Sequence, residues 1–288
     1  MFNCKNISYI LRKASKILQN VSGSVENAQS DARILLENVL NISSSQLILS
    51  SIENKQLNHK QIKKYEKYIL RRLKNEPVAY IIGYVKFMGL EFKVNNHVLI
   101  PRYETEILVE EALKLDNNKS SILDLCTGSG CIAISLAKLS NVKTIIASDI
   151  SYKAIAIAKQ NASLNSVLNR ITFIVSDLFT TIEEHEFDMI VSNPPYITQS
   201  EYNIVKYNLK YEPKNALVAS DNGLLFYKYI AKYSKYYLNS NSFILVELNS
   251  NNVKYIKEIF LAQNAYKNIE IINDYAKLPR ILKAQKKG

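Results

Sequence analysis

The stretch Ser121-Ile122-Leu123-Asp124-Leu125-Cys126-Thr127-Gly128-Ser129-Gly130-Cys131-Ile132-Ala133-Ile134-Ser135-Leu136-Ala137 decides the fold of this 288-residue chain. It reads as a short apolar strand, a loop of small residues, and a helix with apolar residues at helical spacing. Gly128 and Gly130 let backbone approach a ligand closely, and the helix start offers free N–H groups and the positive end of its dipole. A carboxylate or a phosphate suits that place. Gly128, Gly130 and Ala133 also satisfy the loose G-x-G-x-x-G/A pattern, so a nicotinamide nucleotide is one candidate ligand.

Downstream, Thr144-Ile145-Ile146-Ala147-Ser148-Asp149 is a second strand, ending in an acid about twenty residues past the glycine loop, where a carboxylate can accept from both ribose hydroxyls of an adenosine. A third strand, Ile171-Thr172-Phe173-Ile174-Val175, runs into Ser176-Asp177-Leu178, whose carboxylate and apolar side chain could bracket an adenine ring. An acid at one strand end is more often plain exposed surface. Suitable groups at three successive strand ends make a ligand-binding edge the better reading.

A fourth apolar run, Phe187-Asp188-Met189-Ile190-Val191-Ser192, stops at Asn193-Pro194-Pro195-Tyr196. Consecutive prolines cannot continue a sheet, because each lacks an N–H and holds φ near −65°. The result is a stiff corner at the carboxyl end of a strand, the edge where open α/β sheets bind ligands. Asn193 brings a side-chain carbonyl, Pro194 and Pro195 bring backbone carbonyls, and Tyr196 brings a flat face with a polar tip. Such a set suits a planar group carrying an NH2. On its own the tetrapeptide reads equally well as a proline-stiffened turn.

Together the four strand ends describe one adenosyl ligand lying across the sheet edge, with the corner at its far end. A hydride-transfer enzyme has no need of an amide-gripping corner. S-adenosylmethionine fits: its amino-acid end would meet the glycine loop, its ribose Asp149, and its methyl whatever the corner holds. With loop, acid and corner in this order the chain resembles the class I methyltransferases that modify planar amino or amide nitrogens.

Two further segments, Glu76-Pro77-Val78-Ala79-Tyr80-Ile81-Ile82-Gly83 and Leu99-Ile100-Pro101-Arg102-Tyr103-Glu104-Thr105-Glu106, narrow the resemblance. With Tyr211-Glu212-Pro213 and Ala216-Leu217, they are similar to the release factor glutamine methyltransferases of the PrmC/HemK type. The resemblance runs from about residue 76 onward. It implies S-adenosylmethionine as methyl donor, S-adenosylhomocysteine as product, and the glutamine amide in the Gly-Gly-Gln loop of peptide chain release factors as acceptor, in support of translation termination. By position, Asn193 and Pro194 would hold the amide, Pro195 would stiffen the turn and Tyr196 would pack on the amide plane. Cofactor contacts would fall on Cys126, Thr127, Gly128, Ser129, Gly130, Asp149, Asp177, Leu178 and Asn193. Glu247, ending the strand Phe243-Ile244-Leu245-Val246, matches a family acid without an assigned role. The chain departs from the family pattern where Cys126 and Lys277 replace usual glycines and where Leu248-Asn249 follow Glu247. A side chain at such a place costs energy if the turn demands positive φ.

An amide nitrogen is a weak nucleophile because its lone pair is delocalised. Carbonyls that bind its two N–H protons bind them more tightly as positive charge grows during attack, which lowers the barrier without a dedicated base.

The expected architecture is a class I methyltransferase Rossmann-like α/β domain with a mainly parallel seven-stranded sheet, spanning 106–288. A helical domain is expected over 1–80, with apolar faces at Ile7, Ile10, Leu11, Ala14, Ile17, Leu18 and at Ala32, Leu35, Leu36, Val39, Leu40, and a third helix from His59 to Lys74. By resemblance this domain helps dock the release factor. A linker over 81–105 is expected to hold a hairpin pairing Phe87–Val94 with Val98–Ile100 across Asn95-Asn96-His97.

A net charge of +11 and a pI near 9.3 raise nucleic acid as a partner. The bias toward Lys, Asn, Ile and Tyr, with no Trp, is one that AT-rich coding produces unaided. The basic runs Arg71-Arg72 and Lys283 to Lys287 read as solvated surface, so direct nucleic-acid binding is not expected. Cys4, Cys126 and Cys131 form no C-x-x-C pair, and His59, His97 and His185 are scattered, so no metal site is expected. No signal-peptide core and no apolar span near the ~20 residues of a membrane helix is present. The reading is a cytoplasmic monomer. Two alternatives stay open on the residues alone: a methyltransferase for an exocyclic amine of a DNA or RNA base, and a non-catalytic S-adenosylmethionine-binding scaffold.

Overall fold

A computed structural model of the chain describes residues 1–115, 121–183 and 186–288. His185, weighed above as a metal ligand, lies outside the described residues. The chain forms two compact units, Met1–Gly83 and Tyr84–Gly288, the division falling shortly after the expected end of the helical domain.

The first unit holds helices α1 (Ile7–Ser22), α2 (Val25–Leu40), α3 (Ser44–Ile52), α4 (His59–Leu73) and α5 (Val78–Ile82). Each of the first four starts on a side-chain cap: Asn6, Ser24, Ser43 and Asn58 accept a backbone N–H of the first turn, and Gln46 and Gln61 complete capping boxes for α3 and α4. Ile10, Ala14, Leu18, Leu35, Leu36, Tyr65 and Ile69 form its buried core. The short helix α3 was not expected from periodicity, since Leu47 is its one buried residue and only the cap announces it. Arg71 and Arg72 are not the solvated run their spacing suggested. Arg72 pairs with Asp31 at 2.8 Å and Arg71 with Glu76 at 2.5 Å, both half-buried or more.

In the second unit the hairpin differs from the expected one. Its strands are β1 (Tyr84–Phe87) and β2 (Leu90–Lys93), paired from Tyr84↔Lys93 to Phe87↔Leu90. Met88 and Gly89, at φ 49° and 73°, make the two-residue turn, so the apolar run Phe87–Val94 bends back on itself rather than continuing. Val98 and Ile100 are buried in irregular backbone and form no strand.

The remaining elements are α6 (Tyr103–Lys114), β3 (Ser121–Leu125), α7 (Cys131–Leu139), β4 (Thr144–Asp149), α8 (Tyr152–Leu164), β5 (Ile171–Val175), β6 (Phe187–Ser192), α9 (Gln199–Leu209), α10 (Leu225–Tyr237), β7 (Leu238–Glu247), α11 (Val253–Ala262), β8 (Tyr266–Asn273) and β9 (Pro279–Lys286). The sheet order is β5-β4-β3-β6-β7-β9-β8, parallel except that β9 runs antiparallel between β7 and β8. Side chains alternate across it. Ile122, Ile145, Met189 and Val191 face one apolar core, and Leu123, Leu125, Ile190 and Val246 face the other, under α10 and α11. Pairing of Leu125 with both Ser148 and Ser192, and of Asp149 with Val175, brings the carboxyl ends of four strands to one edge. Strand order reverses at β3: the chain steps outward to β4 and β5, then returns to place β6 on the other side of β3, which makes that edge the switch point where open α/β sheets hold ligands. Among the described residues no helix is long and apolar enough to cross a membrane.

Candidate active site

A cleft of about 740 Å3 opens at this edge. Of the residues singled out from sequence, Cys126, Gly128, Asp149, Asp177, Leu178, Asn193 and Pro195 line it. Thr127, Ser129, Gly130, Pro194 and Tyr196 are not among its walls, and the first three build the loop from behind. Thr127 donates its hydroxyl to Asp124 at 2.5 Å, and its N–H reaches the Ser148 carbonyl at 2.9 Å. The Ser129 carbonyl accepts from Asn161 Nδ2 at 2.9 Å. That fully buried asparagine also bonds Lys93 N–H and carbonyl at 2.7 and 3.0 Å, tying loop, α8 and hairpin together.

Gly130 starts α7 at φ 82°, where a Cβ would meet Ile134 Cδ1 at 2.8 Å and Ala158 Cβ at 3.1 Å. Gly128 differs: a Cβ there would find protein no nearer than Cys126 O at 4.0 Å, so the space it spares belongs to the cleft. Cys126 takes φ 61° where the family pattern has glycine, so the turn does demand the left-handed region and the chain bears its cost of about 1 kcal/mol. Burial pushes the Cys126 thiol well above its ordinary range and Cys131 up to about 12, which excludes either as a thiolate nucleophile near neutral pH.

Asp149 spends one hydrogen bond per oxygen on its own fold. Oδ2 accepts from Gly128 N–H and Oδ1 from Ser151 N–H, each at 2.9 Å. Each oxygen keeps a lone pair for a donor in the cleft. Burial pushes its carboxyl up, and the Ser151 and Gly128 N–H groups oppose that shift. The buried Asp124, one strand inward, is pushed up to about 7 by burial, against the Thr127 hydroxyl and the Ala133 N–H.

The proline corner is clamped from two sides. Ile197, just past it, bonds the loop before α10: its N–H reaches Leu217 O at 2.9 Å and its carbonyl accepts from Ala219 at 2.8 Å. On the other side Asn193 Nδ2 lies 3.1 Å from Thr105 Oγ1, which in turn lies 2.6 Å from Glu247 Oε2. Glu247 is 3% exposed, and burial pushes its carboxyl up to about 7 against the Thr105 hydrogen bond and Arg280. Burial likewise raises the Tyr196 phenol to about 12, so it stays a neutral donor.

Sequence reading missed several of these positions. Thr105 sits inside the quoted Leu99–Glu106 signature, yet nothing local marked it as the partner of Asn193. Glu212 accepts from Ile100 N–H at 3.2 Å and pairs with Arg102 at 2.5 Å, which joins the Leu99–Glu106 segment to Tyr211-Glu212-Pro213. His97, Val98 and Leu99 line the cleft from irregular backbone. Among the described residues no group of His, Cys, Asp and Glu could hold a metal ion.

Comparison with known proteins agrees with this arrangement. Residues 103–265 match the methyltransferase small domain and residues 10–83 the PrmC N-terminal domain. The release factor glutamine methyltransferase of Thermodesulfovibrio yellowstonii is 36% identical over 281 residues, covering 96% of this chain and 98% of that protein. The bifunctional methyltransferase of Rickettsia typhi is 39% identical over 278 residues, covering 89% of this chain but 53% of its own length. The chain thus spans about half the length of that group of relatives. The crystal structure of a methyltransferase from Pyrococcus furiosus superposes with a TM-score of 0.55 at 18% identity, over 77% of this chain and 99% of that one, and shares the fold. With both of its family models matched and a full-length relative of this similarity, the chain belongs to the release factor glutamine methyltransferase family.

Proposed function

We propose that the chain transfers a methyl group from S-adenosylmethionine to the side-chain amide nitrogen of the glutamine in the Gly-Gly-Gln loop of peptide chain release factors. Family membership supports this reading, and one observation carries it: Asn193 lines the same cleft as Gly128, Asp149, Asp177 and Leu178. The cleft suits the donor. Gly128 spares the space a Cβ would take, Asp149 keeps acceptors for two ribose hydroxyls, and Asp177 with Leu178, on the same cleft wall, would bracket the adenine.

When bound, S-adenosylmethionine supplies an electrophilic methyl carbon. Asn193 Oδ1, on the cleft wall, would accept one amide proton, and by family resemblance the carbonyl of Pro194, next in the chain though not itself among the walls, would accept the other; both grips strengthen as the nitrogen becomes positive. With the donor held by Gly128, Asp149, Asp177 and Leu178, the N–C bond would form as the S–C bond breaks, the electron pair would stay on sulfur, and the surplus amide proton would leave to solvent. The prolines keep the corner from relaxing, which preserves the alignment on which rate depends. The helical unit would take part in docking the release factor, and the enzyme would act in the cytoplasm as a monomer.

The test is methyl transfer from labelled cofactor to a purified bacterial release factor, with nucleic acid as the comparison arm. Asn193→Ala should abolish turnover while cofactor affinity, read by calorimetry, stays near wild type. Transfer to nucleic acid but not to the release factor would overturn the substrate assignment, and cofactor binding without any transfer would leave only a scaffold.

A further inference from the structure

Glu247 presents a puzzle that the reaction chemistry leaves unused. A carboxylate 3% exposed is costly unless paired, yet among the described residues it makes no ion pair within 4.0 Å, and Arg280 and Arg102 are paired instead with Asp274 and Glu212. Its side-chain partner is Thr105, itself 2% exposed, in the first turn of α6. Thr105 is in turn the partner of Asn193.

With Glu247 in its carboxylate form, the direction of this chain is fixed by hydrogen count. An ionised carboxylate only accepts, and a threonine hydroxyl owns one hydrogen. At 2.6 Å that hydrogen goes to Glu247 Oε2. Thr105 then faces Asn193 with lone pairs alone, so Asn193 must turn its NH2 toward Thr105 and its carbonyl oxygen the other way, where the residue lines the cleft. Were the amide reversed, Asn193 would show an NH2 to the NH2 it has to bind. Neither group could accept from the other, and the stabilisation of a growing positive charge on nitrogen would turn into repulsion.

We propose that Thr105 and Glu247 are positioning residues that set the polarity of the Asn193 amide, so that the corner presents an acceptor, and not a donor, to the acceptor nitrogen. This rests on the amide-methylation reading above. The bland account, in which the Thr105–Glu247 bond merely ties α6 to β7, makes a different prediction: its loss would lower stability and cofactor affinity together and spare the chemical step.

The experiment compares wild type with Thr105→Val, Thr105→Ser and Glu247→Gln, measuring kcat and KM with a bacterial release factor, cofactor affinity by calorimetry, and the thermal midpoint. Valine keeps the shape and deletes the hydroxyl. Its kcat should fall roughly 10²-fold, the size expected when one oriented partner of the reacting group is lost, with cofactor affinity unchanged. Serine restores the hydroxyl and should bring kcat back to within roughly ten-fold of wild type. Glutamine can either accept from or donate to Thr105, so it leaves the polarity undecided and should give an intermediate loss of kcat. The proposal is overturned if Thr105→Val keeps kcat near wild type, or if cofactor affinity falls in step with kcat in every variant. Should valine fail to fold, the serine and glutamine variants still decide between these outcomes. A wild type that methylates no release factor removes the parent reading itself, whereas an active wild type beside an equally active Thr105→Val removes the relay alone.

Discussion

Gly223 supports the proline corner through the absence of a side chain, and Gly223→Ala should expose how rigid that support is. The residue has φ +81°, and a Cβ placed on it would lie 2.4 Å from the carbonyl oxygen of Tyr196. A non-bonded carbon–oxygen contact needs about 3.2 Å, so the backbone must yield by roughly 0.8 Å or carry the overlap. The left-handed conformation costs alanine about 1–2 kcal/mol and unrelieved overpacking about 1–3 more. If the loop is rigid, unfolding in urea should show about 2–5 kcal/mol lost with the m-value unchanged. If the corner moves instead, Asn193 moves with it, and a displacement near 1 Å costs about 10²-fold in rate. The two bonds between Ile197 and residues 217 and 219 favour the second outcome, because they couple the loop to the corner. The assay is therefore paired: midpoint denaturation for the first, kcat with release factor for the second. A variant with less than about 1 kcal/mol of destabilisation and an unaltered kcat would refute the idea that this loop holds the corner.

Three further outcomes follow from the geometry. Asp149→Ala removes acceptors for a ribose and frees the Gly128 N–H, so cofactor affinity should drop by at least about 2 kcal/mol in calorimetry; unchanged binding would remove Asp149 from the cofactor site. Glu247 has a native pKa of about 7 against an ordinary 4.5, so between these values the folded state holds its proton more tightly than the unfolded one. Its contribution to stability therefore falls as pH rises through that window, while kcat should rise as the carboxylate form aligns Asn193. Arg280, Arg102, Glu104 and the phenols of Tyr196 and Tyr227 face it, and buried Asp124 adds its own slope to stability, so Glu247→Gln is the control: the kcat limb should flatten, and a limb that persists must belong to another group. Lys277 sits exposed at φ 64° in the turn before β9, and Lys277→Gly should raise stability by up to about 1 kcal/mol in urea unfolding, a loss instead showing that its side chain earns its place.

The strands of the cofactor edge were legible because buried parallel strands are short apolar runs closed by polar or small residues. Thr144–Asp149, Ile171–Val175 and Phe187–Ser192 carry the same bounds in sequence and structure. The hairpin was not, because Phe87–Val94 is apolar enough to pass for one strand and the turn at Met88-Gly89 replaces a more familiar Asn-Gly pair. Within the site, each cleft residue at a strand end could be read locally. The contacts that orient them could not: Asn193 and Thr105 are 88 residues apart, Thr105 and Glu247 142, and nothing in a local window reports such pairs.

The chain places many non-glycine residues in the left-handed region. Seven of the thirteen non-glycine residues at positive φ, among those described, are asparagine, in a chain with only seven glycines. Asparagine tolerates the left-handed region better than most residues, so an Asn-rich chain can make such turns at a cost of about 1 kcal/mol or less each. This works where the position is conformational only, and Cys126 and Lys277 show that even less suitable side chains are carried there. It fails where a side chain would strike its surroundings. At Gly223 a Cβ would meet the Tyr196 backbone oxygen at 2.4 Å, and at Gly130 it would meet Ala158 Cβ at 3.1 Å and the side-chain tip of Ile134 at 2.8 Å, the softer of the two obstacles. Contact thus adds to backbone angle at Gly130 and Gly223, whereas at Gly128 the space a Cβ would take is left to the cleft. Cys126 bears the left-handed conformation its turn demands and still lines the cleft.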